Sequence, residues 1–92
     1  MKRYWFEFAL PDDGSFPAGI TLGIGVTGYD YGDALRLIAA QVFVDLPMSP
    51  IKRVIDDVDV STLDQDHVIP NMKPPNLRGI WFPMGYDRSI TS

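Results

Sequence analysis

The stretch Gly19 to Val42, GITLGIGVTGYDYGDALRLIAAQV, decides the fold. In its first half Ile20, Leu22, Ile24 and Val26 recur at every second position, separated by Thr21, Gly23, Gly25 and Thr27. Successive side chains of an extended chain point to opposite sides, so this pattern predicts a strand with a branched apolar face toward a core and a nearly bare face opposite. At Gly28 the period changes. Asp30 suits a helix N-cap, and Asp33 takes the capping-box position three residues on, although Asp is shorter than the usual Glu. Tyr31, Leu35, Ile38, Ala39 and Val42 then fall within one stripe of a 3.6-residue repeat. Asp33, Arg36 and Gln41 stand outside that stripe. Leu37 also lies off it, either widening the buried face or forming an exposed contact. Asp45-Leu46-Pro47 and Ser49-Pro50 end the helix, because proline cannot continue it and restricts the residue before it.

Working outward toward the N-terminus, residues 2 to 9 alternate, with Tyr4, Phe6 and Phe8 on one side and Trp5, Glu7 and Ala9 on the other, which predicts a first strand. Leu10 to Ala18, LPDDGSFPA, is turn chemistry for a loop. Toward the C-terminus, Ile51 to Val60 returns to extended structure, with Val54, Asp56, Val58 and Val60 sharing one face and Ile55, Asp57 and Asp59 the other. Ser61 suits a cap for a brief helical turn through Thr62, Leu63 and Asp64. Pro70 to Pro75 predicts an irregular, partly polyproline-like crossing. Arg78 to Pro83 is a last short strand, and Pro83 sets it at an edge or marks its end. The expectation is an α+β domain in the order β-β-α-β-β, with one helix packed on one face of a mostly antiparallel three- or four-stranded sheet, a two-layer arrangement whose strand order stays open.

Ninety-two residues of 10.3 kDa, 46% hydrophobic and 22% charged with mean hydropathy −0.01, make residues 1 to 92 a single domain with a thin stability margin. The absence of cysteine excludes a disulfide framework, a thiolate metal site and a cysteine nucleophile, and a single histidine, His67, excludes a multi-histidine zinc site. No apolar run approaches the roughly 20 residues needed to cross a bilayer. Met1-Lys2-Arg3 is basic in the manner of a signal peptide, but Glu7 interrupts the apolar residues that follow, so a cytoplasmic location is the default expectation.

Several motifs imitate known chemistry. Gly23-Ile24-Gly25-Val26-Thr27-Gly28 matches the dinucleotide string G-x-G-x-x-G, yet its first glycines alternate with Ile and Val inside a strand, and Asp30 and Asp33 would repel phosphate. Glycines that let a bulky neighbour such as Trp5 cover the sheet explain it better. Asp57 to Ser61 imitates the start of an EF-hand loop, but Thr62 stands where glycine is needed and Val68 where glutamate is needed. His67, with Asp64, Asp66 and either Ser61 or Ser89, spells a hydrolase triad without a nucleophile elbow or an oxyanion signature, so a hydrogen-bonded loop histidine is the simpler reading. The expectation is no cofactor, no metal and no catalysis.

The acidic segment is more informative. Asp56, Asp57, Asp59, Asp64 and Asp66 fall within eleven residues, no Lys or Arg occurs between Arg53 and Lys73, and the net charge is −4. Such a surface repels nucleic acid and anionic lipid. It attracts a basic protein, or it serves only as a solubilising face. Trp5, Trp81, Phe82 and Tyr86, with Arg78 nearby, are residue types enriched at interface hot spots. In a small domain Trp5 and Phe82 read as core, whereas Trp81 and Tyr86 stand equally as core or contact.

The segment DVDVSTLDQDHVIPNMKPPNLRGIWFPMGY, together with KRYWFEF and GVTGYDYGDAL, resembles a family of small, largely uncharacterised bacterial proteins over most of the chain. In size, charge and layout the chain also resembles the immunity proteins of bacterial toxin systems such as contact-dependent inhibition, which bind and neutralise a cognate toxin domain, often a nuclease. The resemblance implies a non-enzymatic inhibitor with a basic protein partner, and carries over no catalytic residue. The expected contact set is Asp56, Asp57, Asp59, Asp64, Asp66, Trp81 and Tyr86. Two alternatives are a small enzyme or ligand-binding domain using a cleft between helix and sheet edge with His67 or Arg78, and a structural subunit that oligomerises through a sheet edge.

Overall fold

A computed structural model describes residues 1–86. Four strands, β1 (Lys2–Phe8), β2 (Ile24–Gly28), β3 (Ile51–Asp56) and β4 (Gly79–Phe82), and one helix, α1 (Tyr31–Gln41), follow the chain order β-β-α-β-β. All neighbouring strands are antiparallel, in the order β3-β1-β2-β4. The domain is α+β, with α1 lying across β2 and β4 on one face of the sheet.

The alternation of β1 divides the apolar residues between the faces. Tyr4, Phe6 and Phe8 join Ile24, Val26, Ala34, Leu37, Ile38, Val42, Phe43 and Ile80 on the helix side. Trp5 points the other way and joins Trp81, Phe82, Val58, Leu63 and Val68. The expected two layers are therefore three: helix, sheet, and an irregular segment from Asp57 onward that covers the second face.

That second face is possible because Gly23 and Gly25 leave room there. A Cβ on Gly23 would lie 2.5 Å from Trp5 Cζ2, and one on Gly25 would lie 2.3 Å from Trp81 Cζ3. The two indole centroids are 6.1 Å apart and Phe82 sits 5.6 Å from Trp5. Register explains how Trp81 and Phe82 both reach this face: Gly25 pairs with Phe82 and Val26 with Ile80, so Trp81 is the extra residue of a bulge. The glycines of the dinucleotide-like string thus make room for indoles.

Four expectations need correction. The second strand begins at Ile24, not Ile20: Gly23 has φ 145°, which breaks the extended run, and Leu22 is exposed while Ile20 is buried. The helix buries Asp33, Ala34, Leu37 and Ile38, whereas Tyr31 and Ala39 are exposed, so its inward face is rotated from the expected stripe. The helix also ends at Gln41, before the proline signals, as Val42 and Phe43 turn into the core. The third strand stops at Asp56, because Asp57 adopts a left-handed φ of 54° that Asp tolerates better than most residues and that resets the alternation beyond it.

The rotation of the helix follows from Asp33. Asp30 caps the helix, its Oδ1 accepting from the Asp33 N–H at 2.8 Å. The Asp33 carboxylate accepts from Arg78 Nε at 2.8 Å and Nη2 at 2.6 Å, and from the Tyr29 N–H at 2.9 Å. This two-pronged bond ties the first helical turn to the start of β4, and the Arg78 guanidinium lies 5.0 Å from the Tyr29 ring centroid. A carboxylate with a side chain only 3% exposed must stay paired, so it fixes which side of α1 faces the sheet. Its bonds to Arg78, then to Tyr29, hold its pKa far below the ordinary carboxylate range, outweighing burial.

Replacing Gly25 by Ala is expected to lower the unfolding free energy by about 1–3 kcal/mol through overpacking against Trp81, seen as a lower urea midpoint and a weakened near-ultraviolet tryptophan signal. Asp33→Asn should cost about 1.5–3 kcal/mol at neutral pH. A depressed folded pKa gives stability that is complete above the unfolded carboxylate value near pH 4 and is lost as pH falls through the folded value. Urea midpoints of the wild type should therefore fall more steeply below pH 4 than those of Asp33→Asn; parallel profiles would remove Asp33 from the account.

Candidate protein-binding interface

Beyond β3 the chain is pinned at intervals of five residues. Val58, Leu63 and Val68 are 3%, 8% and 1% exposed and pack with Trp5, Trp81 and Phe82. The Val58 N–H donates to the Arg3 carbonyl at 2.9 Å. Between and before these anchors Asp56, Asp57, Asp59, Asp64 and Asp66 are all exposed. Four of the five aspartates expected to form a contact surface, Asp57, Asp59, Asp64 and Asp66, therefore share one strap laid over the second face of the sheet, whereas Asp56 ends β3 opposite Tyr4 and so belongs to the helix side.

Two of them also shape the strap. Asp59 Oδ1 accepts from the Ser61 hydroxyl at 2.7 Å and the Ser61 N–H at 3.0 Å, capping a 3₁₀ turn over Val60–Thr62. Asp64 Oδ1 accepts from the N–H groups of Asp66 at 2.8 Å and His67 at 3.0 Å, and its Oδ2 lies 3.2 Å from His67 Nδ1. Hydrogen bonds from Ser61, the side chain first, lower the pKa of Asp59, and the backbone N–H groups of Asp66 and His67 lower that of Asp64. Both stay ionised while serving as caps. Lys2 Nζ lies 3.8 Å from Asp56, both exposed, Arg3 acts electrostatically on Asp59, and Arg53 and Lys73 line hollows that strap residues also line.

The aromatic part of the expected contact set is corrected. Trp81 is 1% exposed against Gly25 and Trp5; it is the floor beneath the strap and presents no surface to a partner. Tyr86 is half-buried against the helix-side cluster, its hydroxyl donating to the Ala18 carbonyl at 2.6 Å, so the sheet separates it from the aspartates. Trp5 and Phe82 are core. Sequence reasoning overlooked an open groove of about 480 Å³ beside the strap, lined by Val60, Ile69, Met72, Pro74 and Pro75, with Ser61 and Lys73 at its margins. The signal was present: once Val58, Leu63 and Val68 are spent as anchors, Val60 and Ile69 are left over.

A cleft of about 270 Å³ does lie between α1 and the β4 edge, lined by Gln41, Leu77, Arg78 and Trp81 among others. Arg78 is committed to Asp33, and His67 is not among the lining residues. Gln41 Oε1 and Trp81 Nε1 are buried there without a hydrogen-bond partner among the described residues. Of the triad written from sequence, Ser89 lies outside the described residues. Among those residues no group of three or more His, Asp or Glu is placed to hold a metal ion, and no helix is long and apolar enough to cross a membrane. Comparison with protein-family models, curated proteins and solved structures gives no match in any of the three.

Leu63→Ala should cost about 2–5 kcal/mol by opening a cavity against Trp5 and Trp81. Amide exchange of residues 58 to 69 should quicken while the β1 and β2 amides stay protected; uniform loss of protection would mean that the strap is not a separate unit.

Proposed function

We propose that this chain is a protein-binding module, most concretely an inhibitor of the immunity type that neutralises a toxin domain by setting carboxylates against its cationic surface. One observation carries the reading: the outward aspartates Asp57, Asp59, Asp64 and Asp66 are backed by Val58, Leu63 and Val68, which are buried in a packed aromatic floor. A loose acidic tail would lose conformational freedom on binding, whereas a strap already fixed by its anchors and caps avoids most of that cost. Its field steers a basic partner, raises the association rate and fixes the approach.

A nuclease-type toxin suits such a face, since a cleft built to hold phosphates is cationic and is closed to substrate when carboxylates occupy its charge sites. The same charge disfavours direct binding of nucleic acid or an anionic membrane. The chain acts by occupying a site, without chemistry of its own, and a cytoplasmic place of action goes with that role.

The test begins with capture from the native host on the wild-type chain and on the variant Asp56→Asn, Asp57→Asn, Asp66→Asn, which spares the two capping aspartates. A basic protein held by the wild type should associate with the variant about tenfold more slowly at low salt, with a shallower salt dependence. A captured partner whose association rate is indifferent to the substitutions would overturn this assignment.

A further inference from the structure

The groove beside the strap extends the reading above and rests on it. Its walls are Val60, Ile69, Met72, Pro74 and Pro75, exposed or half-buried apolar side chains in a volume of about 480 Å³. Hydrogen bonds brace it from three sides. Thr27 Oγ1 donates to the Pro75 carbonyl at 2.6 Å, the Lys73 N–H donates to the Trp81 carbonyl at 2.9 Å, and Asn71 Nδ2 donates to the His67 carbonyl at 2.9 Å. The two prolines add fixed backbone angles and no N–H groups to satisfy.

The strap aspartates are tied to this apolar floor through Ser61 and Ile69. Asp59 is bonded to Ser61 at the margin. Gln65 Nε2 donates to the Ser61 carbonyl at 2.8 Å, which draws the Asp64–Asp66 turn to the same margin, and the Ile69 N–H donates to the Asp64 carbonyl at 3.0 Å. Lys73 lines the groove as well and is the one charged residue of its lining among the described residues. An apolar patch with a charged rim has the anatomy of a protein contact, and the rim selects the sign of the partner.

We propose that this groove receives an apolar side chain of the partner flanked by lysine or arginine, so that Val60, Ile69 and Met72 supply the contact energy while Asp59, Asp64 and Asp66 supply orientation. Methionine in the wall suits the task, because its flexible thioether moulds to the inserted group.

Three synthetic peptides added to the full isotope-labelled chain and followed by amide chemical shifts test this. They are a lysine-leucine peptide, the same peptide with serine for each leucine, and the same peptide with glutamate for each lysine. The first should shift the amides of Val60, Ile69 and Met72. The serine peptide should bind about tenfold more weakly or worse and perturb only the acidic strap, and the glutamate peptide should not bind. Met72→Gln, a conservative change in length, should reduce the preference for leucine over serine. Equal binding of the leucine and serine peptides would overturn the groove assignment while leaving the acidic face standing. Failure of both cationic peptides to shift the strap would overturn the protein-binding reading itself. Leucine-dependent shifts confined to the cleft between α1 and β4, or concentration-dependent shifts without peptide, would assign the groove elsewhere or to a second copy of the chain, and so reject the proposal.

Discussion

Two indoles resting on two glycines hold this molecule together in a way that one helix on one sheet would not. The sheet needs cover on both faces, and α1 supplies only one. Gly23, just before β2, and Gly25 within it leave room on the other, and Trp5 and Trp81 fill that space. Large aromatic side chains dominate small cores, and here they form a floor wide enough for Val58, Leu63 and Val68 to dock an irregular segment. Strap, groove and acidic face all depend on that floor.

The strap shows how one residue type can serve structure and binding together. Asp59 and Asp64 hold the local backbone through hydrogen bonds to N–H groups, and those bonds stabilise the ionised carboxylate, so neither loses its charge in doing so. Aspartate suits this better than glutamate because its short side chain reaches its own following backbone. The near-absence of glutamate in the chain, one residue against eleven aspartates, follows the same logic. Asp33 is the contrasting case, a buried carboxylate engaged by Arg78 and the Tyr29 N–H, with Arg36 3.6 Å away.

Much of this was legible from the residues. The alternation in β1 assigned Tyr4, Phe6 and Phe8 to one face and Trp5 to the other. The face of α1 was not legible, since Ala34, Leu35, Leu37 and Ile38 offer apolar character over a wide arc. Which part of the arc turns inward depends on Asp33 meeting Arg78, forty-five residues away. Trp81 was misread for a related cause: the bulge opposite Gly25 is a property of strand pairing, invisible in the period of either strand alone.

Local chemistry thus determined the elements, their order, the turn at Asp30 and the concentration of negative charge, because each depends on side chains a few positions apart. The strand order β3-β1-β2-β4, the third layer, the rotation of the helix and the groove beside the aspartates came only with tertiary structure. Those features arise where distant segments compete for the same space or must share a charge, and no short window of sequence contains both parties to the contact.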